Sequence, residues 1–163
     1  MHLAENQLSG SIPPEIGHLN SLNELSLYGN NFCGCIPASL GNLSYLTEFS
    51  LNSNLFSCSI PISLGNLSIL AYLYLYDNQL FGSIPPQIEN LINLVELDIS
   101  NNSLKRLIPY SVEKFEKLTL LHMKKKSTLR LHPPRNWKFE VSHILKPSYK
   151  SSFWLNSYIF RFS

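Results

Sequence analysis

Apolar residues recur along this chain with a period much longer than that of any single helix or strand. Ile-Pro stands at Ile12-Pro13, Ile36-Pro37, Ile60-Pro61, Ile84-Pro85 and Ile108-Pro109, and each step is 24 residues. Other columns keep the same phase: Leu25, Phe49, Leu73 and Leu97; Leu27, Leu51, Leu75 and Ile99; and Leu19, Leu43, Leu67, Leu91 and Phe115, which open successive units. Full units therefore run 19–42, 43–66, 67–90 and 91–114, after a partial unit and before a decaying one that ends near Met123. So long a period marks a solenoid, in which one unit cannot bury its apolar side alone and must stack on the next.

Inside each unit, Leu-x-Leu alternates with period two and predicts a short strand, at 24–28, 48–52, 72–76 and 96–100. Stacked in register, these strands make a parallel sheet whose leucines form one continuous core. Asn6, Asn30, Asn54, Asn78 and Asn102 fall where each strand must bend. An Asn amide both donates and accepts, so these side chains are expected to bond to exposed backbone groups as a structural ladder. Leaving one buried and unpaired would cost about 1–3 kcal/mol. The Ile-Pro pairs suit a turn, because Pro fixes φ and removes a donor. Segments such as Ser39-Leu40-Gly41-Asn42-Leu43 return the chain on the opposite side as short helical or 3-10 turns. The predicted fold class is thus an α/β solenoid over residues 1–123, followed by an irregular tail over 124–163.

The unit Leu-x-x-Leu-x-x-Leu-x-Leu-x-x-Asn-x-Leu-x-Gly-x-Ile-Pro resembles the plant-specific class of leucine-rich repeats. The stretch Asn78-Gln79-Leu80-Phe81-Gly82-Ser83-Ile84-Pro85-Pro86 is similar to the ectodomains of plant leucine-rich-repeat receptor-like kinases. That resemblance covers residues 1–123. It implies a curved right-handed solenoid at the cell surface, with a peptide or protein ligand, or a co-receptor, on the concave strand face. Cys58 and Arg106 depart from the pattern where the unit has Gly, and Lys126 stands where the next Asn belongs. The family's paired-cysteine cap, membrane helix and kinase are not seen. Glu5 sits where a signal peptide would carry basic residues, and no apolar run follows it. The chain therefore reads as truncated at both ends. Open ends should expose Leu3, Leu8 and Ile16 on one side and Leu118, Leu121 and Met123 on the other. Two alternatives stay open: a soluble inhibitor of the polygalacturonase-inhibitor type, and a truncated product without function.

The x positions of the strands should face outward on the concave side. Read across the coils they give Glu24, Glu48, Tyr72 and Glu96; then Ser26, Ser50, Tyr74 and Asp98; then Tyr28, Asn52, Tyr76 and Ser100. With strands about 5 Å apart these columns are contiguous. They form an aromatic centre with acidic flanks, the kind of surface that binds a peptide or protein bearing basic or polar groups. The same residues could instead simply cover the sheet. No His or Cys lies near these carboxylates at catalytic spacing, no metal-ligand pattern appears, and no cofactor or small-molecule substrate is implied. Asn42, Asn66 and Asn101 begin Asn-x-Ser sequons, which are glycosylation candidates only in an exported protein.

Composition changes this picture at two points. All 13 Lys and Arg fall from Lys105 onward, whereas eight of the 11 acidic residues lie before it. The repeats are therefore acidic and the tail basic, with nine Lys or Arg and eight aromatics in 124–163 against Glu140 alone. Such a tail could meet nucleic acid or an anionic membrane surface, but Pro133-Pro134 and Pro147 interrupt it and it contains no recognisable module, so it reads as a poorly ordered extension, whose aromatics could alternatively fold back over the open solenoid end as a cap. No stretch approaches the roughly 18 apolar residues of a membrane helix. Cys33, Cys35 and Cys58 cannot all pair. They are free thiols, or one bridge joins neighbouring coils if its Cα atoms come within about 7 Å.

Overall fold

Every coil contributes one short strand to a single parallel sheet. Strands Glu24–Ser26, Glu48–Ser50, Tyr72–Tyr74, Glu96–Asp98 and Leu120–Lys124 lie side by side in chain order. The computed structural model describes residues 1–105, 115, 117–124, 139–140 and 157–161. Pairing follows the repeat: Leu25 lies beside Phe49, Phe49 beside Leu73, Leu73 beside Leu97 and Leu97 beside Leu121. The regular strands are three residues long in the full repeats, shorter than the predicted five. Coil-to-coil bonding continues past them, however. The amides of Leu27, Leu51 and Leu75 donate to the carbonyls of Ser50, Tyr74 and Asp98 at 2.8–2.9 Å.

The predicted core is the observed one. Leu25, Phe49, Leu73, Leu51, Leu75, Leu43, Leu67 and Leu91 are completely buried. A fully buried Leu or Phe contributes about 1.5–3 kcal/mol. Leu19 is the exception among the unit-opening leucines and is exposed. Leu3 and Leu8 are exposed as expected, and Ile16 and Met123 are half-buried. Leu118 and Leu121 overturn the expectation of an open end, since each is only 2% exposed. The reason is geometric. Leu120–Lys124 adds a fifth parallel strand, and Ser157–Arg161 pairs antiparallel along its other edge, itself joined by Phe139–Glu140.

On the opposite side the chain returns through 3-10 turns at Pro14–His18, Ala38–Asn42, Ile62–Asn66 and Pro86–Asn90. Each follows the Pro of an Ile-Pro pair, held extended at φ between −62° and −65°. Adjacent turns touch closely. A Cβ on Gly41 would collide with the Ser63 carbonyl, and Ser63 Oγ donates to the Ala38 carbonyl at 2.7 Å. Two flanking sheets are not foreseen from the hydrophobic pattern. Ser9–Gly10, Asn31–Gly34 and Leu55–Phe56 form one, and Phe81–Ser83 with Ser103–Lys105 the other. Their strands are only two to four residues long, so period two gives no clear signal there.

The asparagine ladder joins the coils at the bend. Asn54 Oδ1 accepts from the Phe32 amide at 3.0 Å, while its Nδ2 donates to the Leu27 carbonyl of the preceding coil at 3.0 Å and to Leu51 of its own. Asn30, Asn78 and Asn102 repeat this arrangement, accepting from the amides of Leu8, Phe56 and Leu80. Asn6 bonds only locally, to the Leu3 and Ala4 carbonyls.

Cys35 and Cys58 form the inter-coil bridge, with Cα atoms 5.3 Å apart, and Cys33 is a free, exposed thiol. Cys58 takes the place of the repeat glycine and keeps its left-handed backbone, at φ 72° against 78° at Gly34 and 83° at Gly82. A bridge closing a loop of this size typically contributes about 3 kcal/mol. Arg106, Ile108-Pro109 and Lys126 lie outside the described residues, as does the tail apart from Lys124 and the strands Phe139–Glu140 and Ser157–Arg161, where the expected irregular extension is instead paired.

Asn54→Ala should strand the buried Phe32 amide and leave the Leu27 and Leu51 carbonyls only their second donors, the side-chain amides of Asn30 and Asn78. The unfolding free energy measured in urea is expected to fall by about 1–3 kcal/mol, whereas Asn6→Ala at its exposed site should stay within about 0.5 kcal/mol of the parent. Equal effects of the two substitutions would remove the ladder from the account.

Candidate binding site

The strand register fixes which side chains meet on the concave face. Tyr72 lies directly between Glu48 and Glu96, and Tyr74 between Ser50 and Asp98. Because alternate strand residues point the same way, Tyr72 and Tyr74 project together between the buried Leu73 and Leu75. Their rings pack with centroids 6.4 Å apart and planes 26° from parallel. The Tyr74 hydroxyl donates to Glu96 Oε2 at 2.7 Å, which holds the ring in place. Ser50 Oγ donates to Glu48 Oε1 at 3.1 Å, so this carboxylate too is oriented from its own strand.

Exposure narrows the predicted surface. Tyr72 is exposed, and Glu24, Tyr28, Glu48, Tyr74, Tyr76 and Glu96 are half-buried. Ser26, Ser50, Asn52, Asp98 and Ser100 are buried. They form the floor of the face, whereas the tyrosines and glutamates form its accessible surface. Glu24 meets His2 across a 3.4 Å contact at the edge.

Toward the last strand the floor becomes a polar cluster that the sequence reading missed. Asp98 Oδ1 accepts from the Ser100 hydroxyl at 2.6 Å, and Asp98 Oδ2 contacts His122 Nδ1 at 2.9 Å. His122 Nε2 is buried without a hydrogen-bond partner among the described residues. His122 lies one repeat beyond Asp98, in the column of Ser26, Ser50 and Tyr74. Extending that column past residue 100 would have found it.

Burial and nearby carboxylates act on the phenols. Desolvation, then the hydrogen bond and charge of Glu96, with smaller contributions from Glu48 and Tyr72, push the Tyr74 hydroxyl well above its ordinary 10.0. Burial likewise raises Tyr76, helped by Asp98, Asp77 and Tyr28 and opposed by a hydrogen bond with Asn52. Among the described residues, no cluster of His, Cys, Asp and Glu is arranged to hold a metal ion. No helix among them is long and apolar enough to cross a membrane.

The Leucine Rich Repeat family profile matches residues 1–19, 21–43, 70–91 and 93–115, which together are more than half of the chain. The chain belongs to the leucine-rich-repeat family. Residues 44–69 fall outside the matched segments, yet they close a coil like the others, with Glu48–Ser50 in the sheet and Ile62–Asn66 in the turn. A search of curated protein sequences finds no match. Solved structures of plant receptor ectodomains do match, and the repeats are of that type. The TDR receptor is 40% identical with a TM-score of 0.72, over 72% of this chain and 20% of its own. The plant peptide hormone receptor RGFR1, solved in complex with RGF2, is 35% identical with a TM-score of 0.72, over 73% and 19%. The Arabidopsis receptor kinase HAESA, solved with the peptide hormone IDA and the co-receptor SERK1, is 40% identical with a TM-score of 0.71, over 73% and 20%. This chain thus spans about one fifth of the length of each of these receptors.

Because Tyr74 is held neutral in the folded state, its stabilising contribution is complete below pH 10.0 and is lost as pH rises above it. Difference absorbance between the parent and Tyr74→Phe should show the missing tyrosinate appearing only above the ordinary midpoint, and the parent should lose stability over that alkaline range. Ionisation of this phenol at its ordinary value would show that Glu96 does not hold it.

Proposed function

We propose that this chain is the ligand-binding segment of a plant cell-surface receptor-like kinase or receptor-like protein, and that it grips a peptide or protein ligand on its tyrosine-rich strand face. The carrying observation is the pair of packed rings, Tyr72 and Tyr74, on one coil, flanked by Glu48 and Glu96 on the next coils. Tyr buries large area with little conformational cost and keeps a polar tip, which suits it to recognition. The surface so described comprises Glu24, Tyr28, Glu48, Tyr72, Tyr74, Tyr76 and Glu96, on a repeat domain of residues 1–123. Its role is binding, with catalysis absent, and the parent protein is extracellular. The solved receptors that resemble it over this span include complexes with peptide hormones, and one of these also holds a co-receptor. An inter-coil disulfide fits the same setting, since such bonds persist in oxidising compartments.

Within that setting the three sequons are not equivalent. Asn42 and Asn66 end exposed 3-10 turns on the side away from the strands, so glycans there would leave the face open. Asn101 has its amide committed to Asp77 Oδ1 at 2.6 Å and sits at φ 49°.

Panning a random peptide library on the immobilised full chain should recover peptides whose binding falls at least about tenfold in Tyr74→Ala, a loss of about 1.4 kcal/mol, and is unchanged by Ile62→Ser on the opposite side. Equal binding by the parent and Tyr74→Ala would end this reading. Secretion of the chain followed by enzymatic deglycosylation should convert Asn42 and Asn66 to Asp in the mass spectrum and leave Asn101 unaltered.

A further inference from the structure

We infer that the strand surface between Glu48 and Glu96 is a seat for a single arginine side chain of the ligand, with its guanidinium lying on Tyr72. This rests on the strand face being a peptide-binding surface. Tyr72 is the one exposed member of the central tyrosines, and its ring leans on Tyr74, which is itself tied to Glu96. One face of this aromatic platform is thereby fixed before a ligand arrives. A guanidinium is planar and weakly hydrated and stacks on such a face, whereas an ammonium does so less well.

The carboxylates are placed for the same group. Glu48 and Glu96 are the strand neighbours of Tyr72 on either side. Each uses one oxygen internally: Glu48 Oε1 accepts from Ser50, and Glu96 Oε2 from Tyr74. Glu48 Oε2 and Glu96 Oε1 are therefore left with no partner among the described residues, beside the exposed ring. The chain has no Lys or Arg before Lys105, so none of the four strands from residue 24 to residue 100 supplies a cation to neutralise them. Two half-satisfied, half-buried carboxylates flanking an immobilised ring match the fork of an arginine in charge, planarity and donor number. A neutral side chain would leave both negative charges uncompensated, and an acidic one would be repelled.

The direct test titrates the full chain with N-acetyl-arginine amide and reads the ring signals of Tyr72 and Tyr74 by NMR, with N-acetyl-citrulline amide, the neutral isostere, as comparison. Arginine should shift both rings saturably and citrulline should not. Tyr72→Leu, which keeps an apolar exposed side chain, should abolish the Tyr74 shift. The double variant Glu48→Gln and Glu96→Gln, which preserves acceptors for Ser50 and Tyr74, should weaken arginine binding about tenfold and remove its salt dependence. Equal shifts with citrulline, no saturable shift with arginine, or unchanged affinity in the double variant would overturn the inference. A peptide that binds through Tyr74 without needing arginine would overturn it as well and would leave the peptide-binding reading standing. A lysine analogue binding more tightly than arginine would count against the guanidinium seat.

Discussion

A 24-residue coil cannot satisfy its own backbone. Its strand amides and carbonyls point along the solenoid, toward the coils before and after it, and its bend leaves further groups without intracoil partners. Everything else in this molecule depends on the neighbouring coil meeting that demand. The strands do so through Leu27, Leu51 and Leu75, whose amides reach the next coil. The asparagines do so at the bend, where one amide group links the turn of its own coil to a carbonyl of the one before. Leucine burial supplies most of the free energy, but hydrogen bonding sets the register in which the leucines can be buried.

Function follows from that register. Once strands are locked at repeat spacing, residues 24 apart become neighbours about 5 Å apart, and an outward position becomes a column. A column of repeats would ordinarily hold similar residues. Here one coil puts Tyr72, Tyr74 and Tyr76 side by side, in columns where the neighbouring coils carry Glu48 and Glu96, Ser50 and Asp98, and Asn52 and Ser100. The acidic neighbours then act on the rings directly, fixing Tyr74 by a hydrogen bond and, with burial, disfavouring its ionisation. The tyrosine face is a local break in the repeat, carried by a scaffold that the repeat holds in register.

The scaffold was legible in the sequence because its determinants are periodic. The core columns, the 3-10 turns after each Ile-Pro and the asparagine ladder all follow from spacing and side-chain chemistry. Three features were not. The flanking sheets arise from backbone pairing at Asn31–Gly34 and its neighbours, where the strands are too short for hydrophobic alternation to report them. Leu118 and Leu121 are buried at an end where a further strand, Ser157–Arg161, is added from outside the repeat. Cys58 occupies a glycine position, and spacing alone allowed its sulfur to be a thiol or half of a bridge until the coils brought Cys35 alongside. On the strand face the register pairs the columns as read, but the split between accessible tyrosines and a buried Ser26, Ser50 and Asp98 floor depends on side-chain packing that a one-dimensional pattern does not hold.

Residue-resolved hydrogen exchange on the oxidised full chain tests most directly whether coils are stacked as described. The amides of Leu27, Leu51 and Leu75, bonded to the next coil, and of Phe32 and Phe56, bonded to asparagine oxygens, should be among the slowest to exchange. The exposed amide of Ser21, by contrast, should exchange rapidly. If the Phe32 and Phe56 amides exchange as fast as that of Ser21, the coils do not stack through this ladder, and the register that builds the tyrosine face is wrong.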